Sequence, residues 1–127
     1  MQEVDINTLI YNYYELNENI PNDIIIVGEI EYIDINYKYD KLDLSKVECN
    51  EIIYEDQKGG SIKNHILSNS LEKLYCCNNQ LTSFTNVQLP NSLKELHCME
   101  NKLKYLPKCA TFIQTRQVIN TVFNQYE

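Results

Sequence analysis

Residues 69–84 read NSLEKLYCCNNQLTSF, and residues 91–106 read NSLKELHCMENKLKYL. Laid over one another at a step of 22, they match at Asn69/Asn91, Ser70/Ser92, Leu71/Leu93, Leu74/Leu96, Cys76/Cys98, Asn79/Asn101, Leu81/Leu103 and Phe84/Leu106. Leu67 and Leu89 carry the match upstream. Each copy spells L-x-x-L-x-C-x-x-N-x-L-x-x-(L/F). A supersecondary unit this short cannot bury its own apolar face, so repetition at this spacing implies coils stacked into a solenoid.

Every slot has a physical reason. Leu74 and Cys76 alternate, which points both inward from one short strand and leaves Tyr75 facing out. Leu71, Leu81 and Phe84 fill the same core as the chain leaves the strand and turns back. Asn79 and Asn101 fall where the backbone turns, and there a side-chain amide can satisfy backbone groups of the neighbouring coil. Strands 73–77 and 95–99 are expected to pair in parallel.

At residues 67–109 the sequence resembles the leucine-rich repeat superfamily, most closely the L-P-x-S-L-x-x-L-x-C-x-x-N-x-L-x-x-L-P subtype. Leu89-Pro90-Asn91-Ser92-Leu93-Lys94-Glu95-Leu96-His97-Cys98 and Asn101-Lys102-Leu103-Lys104-Tyr105-Leu106-Pro107 carry the resemblance. The first copy departs from it at Ser68 and Thr85, where the subtype has Pro. That subtype is common in repeat proteins of giant DNA viruses of the mimivirus type and in some bacterial proteins. A chain rich in Asn, Ile, Tyr and Lys with a single Ala fits an AT-rich genome of the viral kind. The resemblance implies a short curved α/β solenoid with parallel strands on its concave face, an irregular or β convex side, and a protein-binding role without catalysis or cofactor.

Around this core the remaining segments read less sharply. Leu44-Ser45-Lys46-Val47-Glu48-Cys49 reproduces L-x-x-L-x-C 27 residues before Leu71. The excess length is assigned to the polar loop Glu55–Ser61, with Gly59-Gly60 in it. A rival register at a step of 22 puts Cys49, Ile52 and Tyr54 in the strand, but it loses the cysteine match. Upstream, Ile24–Val27 and Ile30–Ile35 read as β-strands of an N-terminal cap. Ile6, Leu9, Ile10, Tyr13 and Leu16 at helical spacing predict a short helix within 5–16. Phe112, Ile119, Phe123 and Tyr126 suggest a helix closing the last coil. The expected organisation is therefore an acidic N-terminal cap (1–41), a degenerate repeat and loop (42–66), two leucine-rich repeats (67–109) and a C-terminal capping helix (110–127).

Charge and cysteine usage bound the function. The 127 residues carry a net charge of −7, which argues against a general nucleic-acid binder. Residues 1–57 hold 14 acids against Lys38, Lys41 and Lys46, and residues 58–127 hold four acids against eight bases. So dipolar a chain could steer charged partners or stack head to tail. The longest strongly apolar run, Ile24–Val27, is far below the roughly 20 residues of a membrane span. The acidic start Met1–Asp5 does not read as a secretory signal, and the 16 asparagines form no Asn-x-Ser/Thr acceptor. Five cysteines, an odd number, are expected as reduced thiols in a cytoplasm-like compartment, the host cell's if the chain is viral.

The outward strand positions form the candidate site. Lys73, Tyr75 and Cys77 in one coil face Glu95, His97 and Met99 in the next, and Lys46, Glu48 and Asn50 extend the stripe under the preferred register. Tyr, His and Met exposed together can anchor a protein partner, since aromatic side chains dominate interface energetics. Cys49, Cys76 and Cys98 read as core filler, and Cys77 as the reactive thiol. Cys77 and His97 lie diagonally, about 8 Å apart at Cα, too far for a nucleophile and its base. His65, next to Asn64, reads as a surface residue of a loop. The expected function is a non-catalytic intracellular protein–protein interaction module, with no metal or cofactor, binding through the concave face. The alternative is a shortened member of an expanded repeat family with no dedicated partner, or a self-associating structural protein.

Overall fold

A computed structural model describes residues 2–13, 20, 23–36, 39, 41–55, 62–84, 87–98, 101–102 and 117–119. Six strands form one sheet in chain order: β1 (Gln2–Asp5), β2 (Ile24–Asp34), β3 (Lys46–Ile53), β4 (Lys73–Tyr75), β5 (Glu95–His97) and β6 (Gln117–Ile119). Every neighbouring pair is parallel. The chain is a solenoid of about three turns with little helix, limited among the described residues to α1 (Ile6–Tyr13) and a single 3-10 turn at Ile62–Asn64. Neither helix is long and apolar enough to cross a membrane.

The pairing fixes the repeat register. Ile33, Ile52, Leu74, Leu96 and Val118 stand side by side across five strands, at steps of 19, 22, 22 and 22 residues. Ile33, Ile52, Leu74 and Leu96 are completely buried, and each contributes on the order of 2–3 kcal/mol by leaving water. A second inward row, Ile35, Tyr54, Cys76 and Cys98, is equally closed. Its backbone amides continue the ladder, with Ile35 N–H donating to Ile53 O, Tyr54 N–H to Tyr75 O and Cys76 N–H to His97 O at 2.7–2.8 Å.

This register corrects the one preferred for the degenerate coil. Glu51 pairs with Lys73, Ile52 with Leu74 and Ile53 with Tyr75, so the step of 22 holds and Cys49 takes the slot of Leu71, not of Cys76. The inward alternation of β3 breaks at Asn50–Glu51: Val47 and Cys49 face the core before it, Ile52 and Tyr54 after it. A cysteine match without that break reads one strand's lead-in as the strand itself. Tyr54, larger than Cys, fills the cysteine slot, and the buried Ile62 lies 22 residues before Phe84.

Two side-chain ladders bind coil to coil where the sheet has ended. Asn79 Nδ2 donates to Tyr54 O (2.6 Å) and Cys76 O (2.9 Å), and Asn101 Nδ2 donates to Cys76 O (3.0 Å) and Cys98 O (3.1 Å). Asn101 Oδ1 in turn accepts from the N–H groups of Asn79 and Leu81. On the other flank Ser70 Oγ donates to Cys49 O and Ser92 Oγ to Leu71 O. Buried carbonyls without these partners would each cost about 1–3 kcal/mol. The turn is tight: Asn78 and Gln80 are held at φ 57° and 60°, a left-handed conformation that side chains other than Asn, Asp and Gly adopt at a cost.

The strands of the N-terminal segment join the same sheet. β2 is one unbroken strand across Ile24–Asp34, and β1–α1–β2 is a parallel strand–helix–strand unit. Asp5 caps α1 by accepting from Asn7 N–H at 2.8 Å. The helix begins with the fully buried Ile6, packed against Gly28. A Cβ on Gly28 would stand 2.8 Å from Ile6 Cγ2, and its φ of 131° is open only to glycine. At the other end Gln117–Ile119 is a strand where the sequence suggests a helix, and it pairs with β5 at the step of 22, Val118 opposite Leu96. The rest of 110–127 lies outside the described residues, as do Met99, Leu103 and Leu106.

Candidate functional site

The same register that buries Leu74 and Leu96 sets two rows of side chains on the outward face of the sheet. One row runs Tyr32, Glu51, Lys73, Glu95 and the other Asp34, Ile53, Tyr75, His97. Lys73 and Glu95 are thus neighbours, as are Tyr75 and His97. Lys73 is exposed, while Tyr75, Cys77, Glu95 and His97 are half-buried. Tyr32, 51% exposed, is the exposed large hydrophobic residue of the described structure.

Tyr75 and His97 form the centre. Their rings stack with centroids 4.2 Å apart and planes 17° from parallel, a pairing worth about 0.5–1.5 kcal/mol beyond its buried area. His97 Nε2 is 2.7 Å from Glu95 Oε1. A carboxylate only accepts, so Nε2 carries the proton. Burial first, and then a hydrogen bond donated to the Glu51 carboxylate, hold the Tyr75 hydroxyl above its ordinary pKa, and the charges of Glu51, Glu95 and Glu55 add to the effect. The ring pair is therefore oriented by carboxylates on both neighbouring strands.

Elsewhere on the sheet, Glu29, Ile30, Glu31, Glu48, Cys49 and Asn50 of β2 and β3, with Ser70 ahead of β4, line an open cleft of about 440 Å³. Its three glutamates and Asn50 are exposed. Lys46 and Glu48, expected with Asn50 as the upstream continuation of the Lys73–Tyr75 stripe, instead stand opposite Val27 and Glu29, and Asn50 falls between the Ile30–Cys49 and Tyr32–Glu51 pairs. The residues in line with Lys73 and Tyr75 are Glu51 and Ile53. The unbroken step of 22 was the signal for them, and the cysteine match masked it. Tyr32 and Asp34 had no such signal, because β2 joins at a step of 19.

The thiols divide by environment. Cys49, Cys76 and Cys98 are buried, and Cys77 is half-buried. Burial raises the Cys49 thiol to about 11 and drives that of Cys76 well above its ordinary value. Both stay protonated and donate to backbone, Cys49 Sγ to Glu51 O at 3.1 Å and Cys76 Sγ to His97 O at 3.4 Å. Among the described residues no three His, Cys, Asp or Glu side chains are grouped to hold a metal ion.

His65 is not the surface residue that its polar neighbour suggests. It is 3% exposed, its Nδ1 accepts from Leu42 N–H at 2.9 Å, and its ring meets Tyr54 edge-on at 5.4 Å. It is packed with Leu42 and Tyr54, both buried, and so supports the core. Searches against protein-family models, curated proteins and solved structures find no match to this chain.

Proposed function

We propose that this chain is a leucine-rich-repeat-type solenoid of the short Cys–Asn subtype, working inside the cell as a non-catalytic protein-binding module. Its binding surface is the outward, concave face of the sheet, with Lys73, Tyr75, Cys77, Glu95 and His97 at the centre and Met99 as its sequence continuation. The observation that carries this reading is the Tyr75–His97 stack. Two rings stack, with the His97 ring bonded to Glu95, on a face whose neighbouring positions are solvent-accessible. Preordered aromatic side chains lose little entropy on binding, and this is what makes them anchors at interfaces.

The test is affinity capture from native lysate with wild type and with a Tyr75→Ala/His97→Ala variant whose melt shows it folded. A protein retained by wild type and lost by the variant supports the reading. Equal capture by both places binding elsewhere and overturns it.

A second reading has its own observation. β1 and β6 are the two ends of the sheet and have no further strand beyond them among the described residues, and unpaired strand edges invite another chain. The acidic half of one copy and the basic half of the next would then meet head to tail. Sedimentation at several concentrations separates the two readings: a mass of one chain throughout supports the binding module, and a mass that grows with concentration supports self-association.

A further inference from the structure

Resting on that reading, the charge of the same face narrows the partner. Five carboxylates, of Glu29, Glu31, Asp34, Glu48 and Glu51, project outward from β2 and β3, and Glu95 follows on β5. Against them stand Lys46 at the start of β3 and Lys73 between Glu51 and Glu95. The cleft on β2 and β3, upstream of the ring pair, has three glutamates, an asparagine amide and Ile30 in its lining. This is room for a long side chain with an apolar stem and a cationic head. Lys94 pairs with Glu72 at 3.5 Å and His97 with Glu95 at 2.7 Å, all four outside the lining of the cleft. Charges of one sign gathered on a partly concave surface focus the field and select an oppositely charged partner.

We propose that this face docks a basic peptide segment of a partner protein, its Lys or Arg side chains over Glu29, Glu31, Glu48 and Glu51 and its apolar side chains over Tyr75 and His97. Recognition is by sign and by shape. The carboxylates steer and orient the segment, and the ring pair with Ile53 supplies the desolvated contact. An acidic segment, or a nucleic-acid backbone, meets like charge there.

The experiment uses the full chain and a fluorescent dodecapeptide alternating Lys or Arg with Leu, beside a counterpart with Glu at every basic position. Fluorescence anisotropy at low and near-physiological salt should show the basic peptide bound, its affinity falling with salt, and the acidic one unbound. Glu29→Gln/Glu48→Gln/Glu51→Gln should weaken the basic peptide about tenfold, since three partly screened carboxylates act together. A charge control of remote exposed acids, Glu3→Gln/Asp23→Asn, should change it less than about twofold. Melts of each variant confirm that it is folded.

Equal binding of both peptides, no binding of either, or equal weakening by the site and control variants overturns the proposal. So does a face occupied by a second copy, seen as a mass of two chains that the glutamine variant alone reduces to one. The binding-face reading fails separately. If Tyr75→Ala/His97→Ala abolishes peptide binding while the glutamine variant leaves it unchanged, the face binds but not by charge. If no variant on the face has any effect, both ideas fall.

Discussion

Acid should destabilise this protein through a buried side chain, His65. In the folded chain its Nδ1 accepts a hydrogen bond from Leu42 N–H, and Nε2 is buried with no hydrogen-bond partner among the described residues. Protonation would place a proton on Nδ1, facing a donor, and a charge in a closed core. Burial accordingly depresses its pKa from 6.5 to about 4. The unfolded chain then binds the proton more readily than the folded one, so stability is complete above pH 6.5 and is lost as pH falls toward 4. At about 1.4 kcal/mol per pH unit, the loss is about 2 kcal/mol by pH 5 and about 3 kcal/mol at the bottom of the window. For a chain of this length 2 kcal/mol corresponds to a fall in Tm of about 7 °C.

The comparison is with His65→Asn, whose side-chain carbonyl can take the Leu42 N–H but cannot titrate. Its lost packing lowers stability equally at every pH, and the titration of the carboxylates is common to both proteins. Urea unfolding at pH 7, 6 and 5 should therefore show the gap between wild type and variant closing by about 2 kcal/mol as pH falls. Two curves that stay parallel across that range would refute the buried, neutral imidazole.

Other substitutions probe the remaining supports. Asn79→Ala removes both hydrogen bonds to Tyr54 O and Cys76 O and should cost about 2–3 kcal/mol by urea unfolding; Asn79→Asp should cost at least as much, since a carboxylate would face two carbonyl oxygens. Gly28→Ala drives a methyl into Ile6 at an unfavourable φ and should lower stability by about 1–3 kcal/mol, read from the thermal midpoint. Leu74→Asp should abolish the cooperative melt because it buries an unpaired charge, while Tyr75→Ala, on the opposite face of the same strand, should lower stability by no more than about 1.5 kcal/mol. In a Cys109→Ser background, thiol labelling of the native protein should find Cys77 alone reacting quickly, with Cys49, Cys76 and Cys98 labelled only on unfolding.

The parts of the fold that were legible are those where spacing and chemistry agreed. Leu74, Cys76, Leu96 and Cys98 repeat at a fixed step, and a period-2 strand leaves them a single arrangement with Tyr75 and His97 outward. Upstream, chemistry misled. Cys49 has the residue type of the repeat's third slot, but the break in alternation at Asn50–Glu51 moves it to the slot of a leucine, and Tyr54 occupies the cysteine position. Size tolerance in the core hid this, since a slot lined by three coils can hold Tyr, Cys or Ile. The helical spacing of Ile6 and Leu9 was readable, but the strand before it was not, because Gln2–Asp5 is short, polar and defined by its pairing with β2. At the C-terminal end Val118 is one apolar residue at the correct step, too little to outweigh a helix-like spacing of aromatics. His65 was misplaced because a neighbouring Asn says nothing about which backbone group the ring will meet.

The binding account turns on which side of the solenoid a partner touches. A photo-crosslinking amino acid placed at Lys73, on the outward face, or at Thr82, exposed on the returning side of the coil, reads that out directly in native lysate. The account predicts a discrete covalent adduct from position 73 and none from position 82. Adducts from position 82 alone would contradict it.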